Sequence, residues 1–155
     1  MTTITAKEII DSIRQYAPNA VTLCPDRVYD RPAKDWFLRG EFYKWFQKHA
    51  WDLGLTVYMD EINDCDDMAA QFRLGAQILN SKRVWKDRLK KLFGRVPQPN
   101  PLAVGEIWYT KMGGVKHACN AVFTDEQVLV FIEPQSMKEI HLSKFELESI
   151  RFARF

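Results

Sequence analysis

Apolar residues follow helical spacing through the first part of the chain and strand spacing through the last part. The segment Thr5-Ala6-Lys7-Glu8 has the form of a capping box, and Ile9 and Ile13 lie one helical turn apart behind it. This pattern predicts a helix that ends near Tyr16. Residues 21–32 are punctuated by proline and aspartate, which indicates a loop.

A second helix is predicted over residues 34–53, where Gly54 stands in the position of a C-cap. Its apolar and aromatic residues fall on or near one broad face: Trp36, Phe37, Phe42, Trp45, Phe46, His49 and Leu53. A stripe of this kind is typical of a helix that packs against the core. We therefore expect these side chains to be buried, with His49 packed among them.

Two more helices are predicted downstream. Asp64 stands where an N-cap is expected, and residues 65–80 carry apolar side chains at helical spacing: Met68, Phe72, Ala76 and Leu79. Between Lys82 and Arg95, seven basic residues stand against the single acid Asp87. We expect this second segment to be a separate helix with a basic, solvent-facing surface.

The C-terminal part has the patterning of an antiparallel sheet. Strands over residues 104–111 and 115–123 are joined by Gly113-Gly114, a favoured hairpin turn. Further strands are predicted over residues 127–133, 139–142 and 149–155. The sequence thus predicts one α+β domain spanning residues 1–155. Its N-terminal helices, in about residues 1–95, pack on a C-terminal antiparallel sheet in about residues 102–155.

Composition narrows the expected partners. The 155 residues are 46% hydrophobic and 27% charged, and the net charge of +2 gives no overall field that favours nucleic acid. No apolar run reaches the ~18 residues of a membrane span, so no membrane partner is expected. Three widely spaced cysteines, Cys24, Cys65 and Cys119, make a poor disulfide framework and a poor zinc pattern. They indicate a reducing compartment, the cytoplasm, or the host cytoplasm if the chain is phage-encoded.

Cys65 is the first candidate for chemistry. It lies in the first turn of its predicted helix, where the helix dipole and the unpaired N–H groups favour a thiolate. Asp64, Asp66 and Asp67 surround it and act on its pKa in the opposite direction. Two interpretations follow. Cys65 is either a nucleophile beside carboxylates that cap the helix or hold a cation, or a packed cysteine with ordinary capping acids.

Two residues of the predicted sheet give Cys65 a catalytic context. His117 and Glu133 fall on neighbouring strands, so an imidazole can take the thiol proton while a carboxylate orients the ring. Gln135 points to the same side as Glu133 and is a candidate donor to an oxyanion. His117 and Cys119 also share a strand face. With Cys65 they suggest a zinc site as an alternative, although a fourth ligand is lacking.

Three segments resemble papain-like and transglutaminase-like cysteine hydrolases: Asp64-Cys65-Asp66-Asp67-Met68-Ala69, His117-Ala118-Cys119-Asn120 and Ile132-Glu133-Pro134-Gln135. The likeness is to the C-terminal protease domain of the Marasmius oreades agglutinin and to small agglutinin-related proteins of bacteria and phages. It covers about residues 58–135 by motif and most of the chain by element order.

The resemblance implies roles for individual residues. Cys65 would be the nucleophile, His117 the base and Glu133 the orienting acid, with Tyr58 and Gln135 flanking the oxyanion. The agglutinin domain depends on calcium, and the resemblance implies that Asp66 and Asp67 are calcium ligands here. The chain has no counterpart of the agglutinin's carbohydrate-binding trefoil, so the resemblance does not imply lectin activity.

The sequence therefore predicts a calcium-activated cysteine hydrolase that attacks an amide through a thioester intermediate. A protein or peptide is the expected substrate. The alternative is a catalytically silent papain-like module that binds a partner through the basic face between Lys82 and Arg95.

Overall fold

The structure, a computed structural model, describes residues 2–52, 64–90 and 100–155. Within these ranges the elements follow the order β1 (Thr3–Thr5), α1 (Ala6–Tyr16), β2 (Val21–Leu23), β3 (Val28–Asp30), α2 (Lys34–Leu38), α3 (Glu41–Asp52), α4 (Cys65–Lys90), β4 (Val104–Thr110), β5 (Lys116–Phe123), β6 (Leu129–Glu133), β7 (Lys138–Ile140), α5 (Lys144–Glu148) and β8 (Phe152–Arg154). Most helices precede most strands. The predicted α+β class is confirmed.

Six strands form one sheet in the order β2-β8-β4-β5-β6-β7, and β1 pairs separately with β3. Strands β4 to β7 form the antiparallel meander that the sequence predicts. The last strand, β8, returns to pair with β4, and β2 then adds in parallel with Val21 opposite Phe152. The sheet is therefore mixed, because a strand from the N-terminal part pairs with the end of the chain.

Each face of the sheet buries its own apolar cluster. Ile9 and Ile13 of α1 pack with Ile107 and Cys119 on one face. On the other face, Phe72 of α4 packs with the aromatic residues of α2 and α3 and with the strand residues: Phe37, Phe42, Phe46, Val104, Val122 and Ile132. Of the predicted aromatic stripe, Phe37, Phe42 and Phe46 are buried. Trp36, Trp45 and His49 are half-buried, and Leu53 lies outside the described residues.

The helices differ from the predicted ones at three places. The single helix expected over residues 34–53 breaks at Gly40, where a Cβ would lie 2.7 Å from the Trp36 Cα. Helix α4 continues through Asn80 to Lys90, so residues 65–80 and the described part of the basic segment belong to one helix, while residues 91–95 lie outside the described ranges. Helix α5 was not predicted, although Ser143 and Glu146 form a complete capping box at its start.

The predicted capping box of α1 and the predicted Gly113-Gly114 turn are correct, whereas the predicted C-cap at Gly54 lies outside the described residues. Thr5 and Glu8 form the predicted capping box of α1, with Thr5 Oγ1 accepting from the Glu8 N–H at 3.2 Å. Gly113 and Gly114 both have positive φ, 98° and 87°, as the tight turn between β4 and β5 requires. In the described residues, we find no helix with the length and apolar character needed to cross a bilayer.

Candidate functional site

A cavity of about 550 Å³ lies where the first turn of α4 meets the ends of β4 and β5. It is lined by Asp64, Cys65, Asp66, Trp108, Tyr109, Thr110, Gly114, Lys116, His117, Ala118 and Arg151. We call it the Cys65 cleft. Its lining includes two of the three residues of the predicted triad, Cys65 and His117.

Asn120 connects α4 to the sheet next to this cleft. It is fully buried in β5, and its Nδ2 donates to the Ala69 carbonyl at 2.9 Å and to the Gly105 carbonyl at 3.1 Å. One amide thus bridges the helix that carries Cys65 and the strand that carries Trp108. A polar residue inside an otherwise apolar strand is the sequence feature that indicates such a role.

The environment of Cys65 favours the neutral thiol. Burial raises the pKa of the Cys65 thiol, and the charges of Asp64 and Asp66 raise it further. Hydrogen bonds from the Ala118 backbone and from its own backbone lower the pKa, but they do not offset these effects. An activated cysteine needs a depressed pKa. Here the neighbouring acids and the partial burial dominate the helix dipole.

The carboxyl groups of Asp64 and Asp66 interact at the start of α4, and this interaction moves their pKa values apart. A hydrogen bond from Asp66 lowers the pKa of Asp64, and the backbone N–H groups of Asp67 and Asp66 lower it further. The same hydrogen bond, together with burial, raises the pKa of Asp66 to about 6. The Asp64 carbonyl accepts the Met68 N–H at 3.1 Å, as an N-cap residue does.

His117 and Glu133 form a hydrogen-bonded pair beside the cleft. His117 Nε2 and Glu133 Oε2 are 2.7 Å apart, and the two side chains are only 11% and 16% exposed. The Tyr109 ring packs edge-on against the imidazole, with their centroids 5.6 Å apart. The imidazole ring is therefore fixed in orientation by a carboxylate on one side and an aromatic ring on another.

The other predicted site residues lie away from the cleft or outside the described residues. Glu133 stands behind His117 and does not line the cavity, whereas Gln135 is exposed in the turn between β6 and β7. Asp67 is half-buried and is not part of the lining. Tyr58, predicted beside the oxyanion, lies outside the described residues.

The described residues contain no group of three or more His, Cys, Asp or Glu side chains arranged to hold a metal ion. Residues 53–63, which lead into α4, lie outside the described ranges. A calcium role for Asp66 and Asp67 therefore stays a prediction.

Three residues of the cleft were not singled out from the sequence. Trp108 is 45% exposed in the middle of the sheet, and its ring lies 5.3 Å from that of Phe152. Lys116 and Arg151 are exposed basic residues on the same lining. Together they add an aromatic ring and two cations to a cleft that the acids of α4 also line.

Comparison with known proteins relates this fold to lectins. No protein-family model and no curated protein matches the sequence. One solved structure, described as "PSL1a-E64 complex", matches with a TM-score of 0.68 at 20% identity, over 99% of this chain and 50% of that chain. Another, Polyporus squamosus lectin bound to the human-type influenza-binding epitope Neu5Aca2-6Galb1-4GlcNAc, matches with a TM-score of 0.68 at 19% identity, over 99% and 49%.

These likenesses establish the fold. The chain spans about half the length of the matched structures and has the fold of a fungal lectin related in fold to the Marasmius oreades agglutinin. The agglutinin resemblance is confirmed to that extent. The protease activity that the resemblance implies is not confirmed.

The predicted enzyme class is corrected by this comparison. The solved structures that match are of a lectin, so the prediction of a cysteine hydrolase acting on a protein or peptide is wrong. The raised pKa of the Cys65 thiol agrees with this correction, since burial and the neighbouring acids disfavour the thiolate that would attack an amide. The non-catalytic alternative agrees better with the findings.

Proposed function

We propose that this chain is a catalytically silent binding module whose Cys65 cleft holds a carbohydrate. The observation that carries the proposal is Trp108, an indole 45% exposed on the wall of a cavity of about 550 Å³. Large aromatic side chains of a central strand are normally buried. An exposed one beside a polar cavity offers a flat apolar surface to a ligand.

The chemistry of the lining suits a sugar ring. One face of a pyranose presents C–H groups that pack on an indole, while its hydroxyl groups both donate and accept hydrogen bonds. Among the lining residues, Asp64 and Asp66 supply acceptors, and Lys116 and Arg151 supply donors. The cavity volume falls in the range of small-molecule sites.

The fixed His117 ring adds a donor or acceptor that does not need to be ordered when the ligand binds. Its hydrogen bond to Glu133 restrains the ring in advance, so less conformational entropy is lost on binding. In this account the Cys65, His117 and Glu133 side chains shape and polarise the cleft without bond-making chemistry.

A matched lectin, about half of which this chain covers, is bound to the epitope Neu5Aca2-6Galb1-4GlcNAc, and this trisaccharide is therefore the first ligand to test. Lys116 and Arg151 are suited to the carboxylate that such an acidic glycan carries. The basic face between Lys82 and Arg95 is not the surface we propose. Lys82 and Arg83 are exposed, but the side chains of residues 84–95 lie outside the described part of the chain.

Titration calorimetry with this trisaccharide, and with the disaccharide that lacks the sialic acid, tests the proposal. Trp108→Ala should lower the affinity at least tenfold because it removes the stacking surface, while Trp108→Phe should retain part of it. Tyr16→Ala is the matched control, because Tyr16 is a 41% exposed aromatic outside the cleft. The proposal fails if a broad glycan array shows no ligand, or if Trp108→Ala binds the ligand as the parent chain does.

A further inference from the structure

The hairpin between β4 and β5 exposes two apolar side chains at its end. Met112 is 75% exposed and Val115 63% exposed, on either side of the two turn glycines. The sequence across the turn is Lys111-Met112-Gly113-Gly114-Val115-Lys116, so a lysine precedes and follows the apolar pair. We call these six residues the hairpin tip.

Hydrogen bonds fix the hairpin tip to the body of the domain. At its base, the Thr110 N–H donates to Ser149 Oγ at 2.9 Å, and Ser149 Oγ donates to the Thr110 carbonyl at 3.1 Å. The Lys111 N–H donates to the Val115 carbonyl at 2.8 Å, and the Gly114 N–H donates to the Lys111 carbonyl at 3.0 Å. The apolar side chains are therefore held outward by an ordered turn.

The surface around the hairpin tip is basic. Lys116 is exposed, and the exposed Arg151 lines the same side of the Cys65 cleft. The nearest acid of α5, Glu146, is half-buried and accepts the Ser143 N–H at 2.8 Å in its capping box. Its pKa is lowered first by Ser143 and then by the charge of the half-buried Lys111 and by the Met112 backbone, so Glu146 balances part of the charge of Lys111 and leaves Lys116 and Arg151 as the exposed cations. The hairpin tip therefore presents two apolar side chains, flanked by basic residues, to a partner.

This combination selects one kind of partner. Apolar side chains enter the boundary between headgroups and acyl chains, and neighbouring basic residues bind anionic headgroups. A second copy of the chain would bring the same lysines against each other, which disfavours self-association through this surface. We propose that the hairpin tip docks the domain on an anionic lipid bilayer, with Met112 and Val115 in the interface and Lys111 and Lys116 at the phosphates.

The hairpin tip adjoins the Cys65 cleft, so docking through the hairpin tip would bring the cleft close to the bilayer. Gly114 and Lys116 belong to both the hairpin tip and the lining of the Cys65 cleft. A docked domain therefore holds the cleft within reach of groups that project from the bilayer surface. The docking proposal itself rests on the hairpin tip alone and does not depend on the nature of the cleft ligand.

Vesicle co-sedimentation of the whole chain tests the proposal. We expect binding to phosphatidylcholine vesicles that contain phosphatidylserine, weaker binding to pure phosphatidylcholine, and a further loss at high salt, where charges are screened. Lys111→Gln should lower the partition coefficient about fivefold. Met112→Ser combined with Val115→Ser should lower it at least tenfold. Val128→Ser is the control, since Val128 is a 49% exposed apolar residue in another turn.

Three results would overturn the proposal. The parent chain would fail to sediment with the phosphatidylserine vesicles, or the double variant would sediment as the parent does. A lipid-free dimer in sedimentation equilibrium that the double variant abolishes would assign the hairpin tip to self-association instead. Circular dichroism of each variant establishes that a loss of binding does not come from unfolding.

Discussion

The hydrogen bonds by which Asn120 connects α4 to the sheet can be tested by substituting Asn120. Asn120→Ala removes two hydrogen bonds that Nδ2 donates, at 2.9 Å to Ala69 and at 3.1 Å to Gly105. Each buried hydrogen bond contributes about 1 kcal/mol, and the truncated side chain leaves a small cavity at a fully buried position. Asn120 Oδ1 has no hydrogen-bond partner among the described residues, so removing this buried polar atom offsets part of the loss in free energy of unfolding.

We therefore expect Asn120→Ala to lower the free energy of unfolding by about 2 kcal/mol. With a urea m-value of about 2 kcal/mol/M, the midpoint of urea unfolding should fall by about 1 M. Gln47→Ala is the control, because the exposed Gln47 makes only a side-chain hydrogen bond, to Tyr43. A loss below about 0.5 kcal/mol, close to that of the control, would refute the bridging role.

Two further predictions concern the thiol and the sheet. Burial and the neighbouring acids raise the pKa of Cys65. The rate of its iodoacetamide labelling against pH, followed by peptide mass spectrometry, should therefore have a midpoint above the ~8.5 of a free cysteine. A midpoint near neutral pH would show an activated thiolate and contradict the proposal of a silent module. Gly105→Ala should lower the free energy of unfolding by ~1–3 kcal/mol in urea titration, since the new Cβ would lie 2.8 Å from the Phe155 ring and 2.9 Å from the Arg154 carbonyl oxygen. Unchanged stability in Gly105→Ala would show that Arg154 and Phe155 can move away from the new Cβ without a measurable loss of free energy of unfolding.

Local features of the fold could be predicted from the sequence because their determinants are a few residues apart. The Thr5–Glu8 capping box and the Gly113-Gly114 turn need only their own neighbours, and both are found as predicted. The missed strands β2 and β3 have three residues each. Their partners, such as Phe152 opposite Val21, are distant in sequence, so periodicity within the segment gave no indication of them.

The candidate site was accessible to sequence reasoning only in part. Cys65 and His117 were singled out by residue type, and the structure places both on one cleft. Trp108 was not, since Ile107, Trp108 and Tyr109 are consecutive apolar residues and alternation cannot tell which one is exposed. Arg151 reaches the cleft through the pairing of β8 with β4, which a sequence pattern does not specify.

If the Cys65 cleft binds a carbohydrate and leaves it chemically unchanged, the effect should be visible at single residues in a nitrogen-15 NMR titration of the chain with Neu5Aca2-6Galb1-4GlcNAc. The indole N–H of Trp108, assigned by its loss in Trp108→Phe, should shift together with the backbone amides of Cys65 and Lys116, and the trisaccharide should be recovered intact. Shifts confined to residues outside the cleft, or none at saturating trisaccharide, would contradict the account.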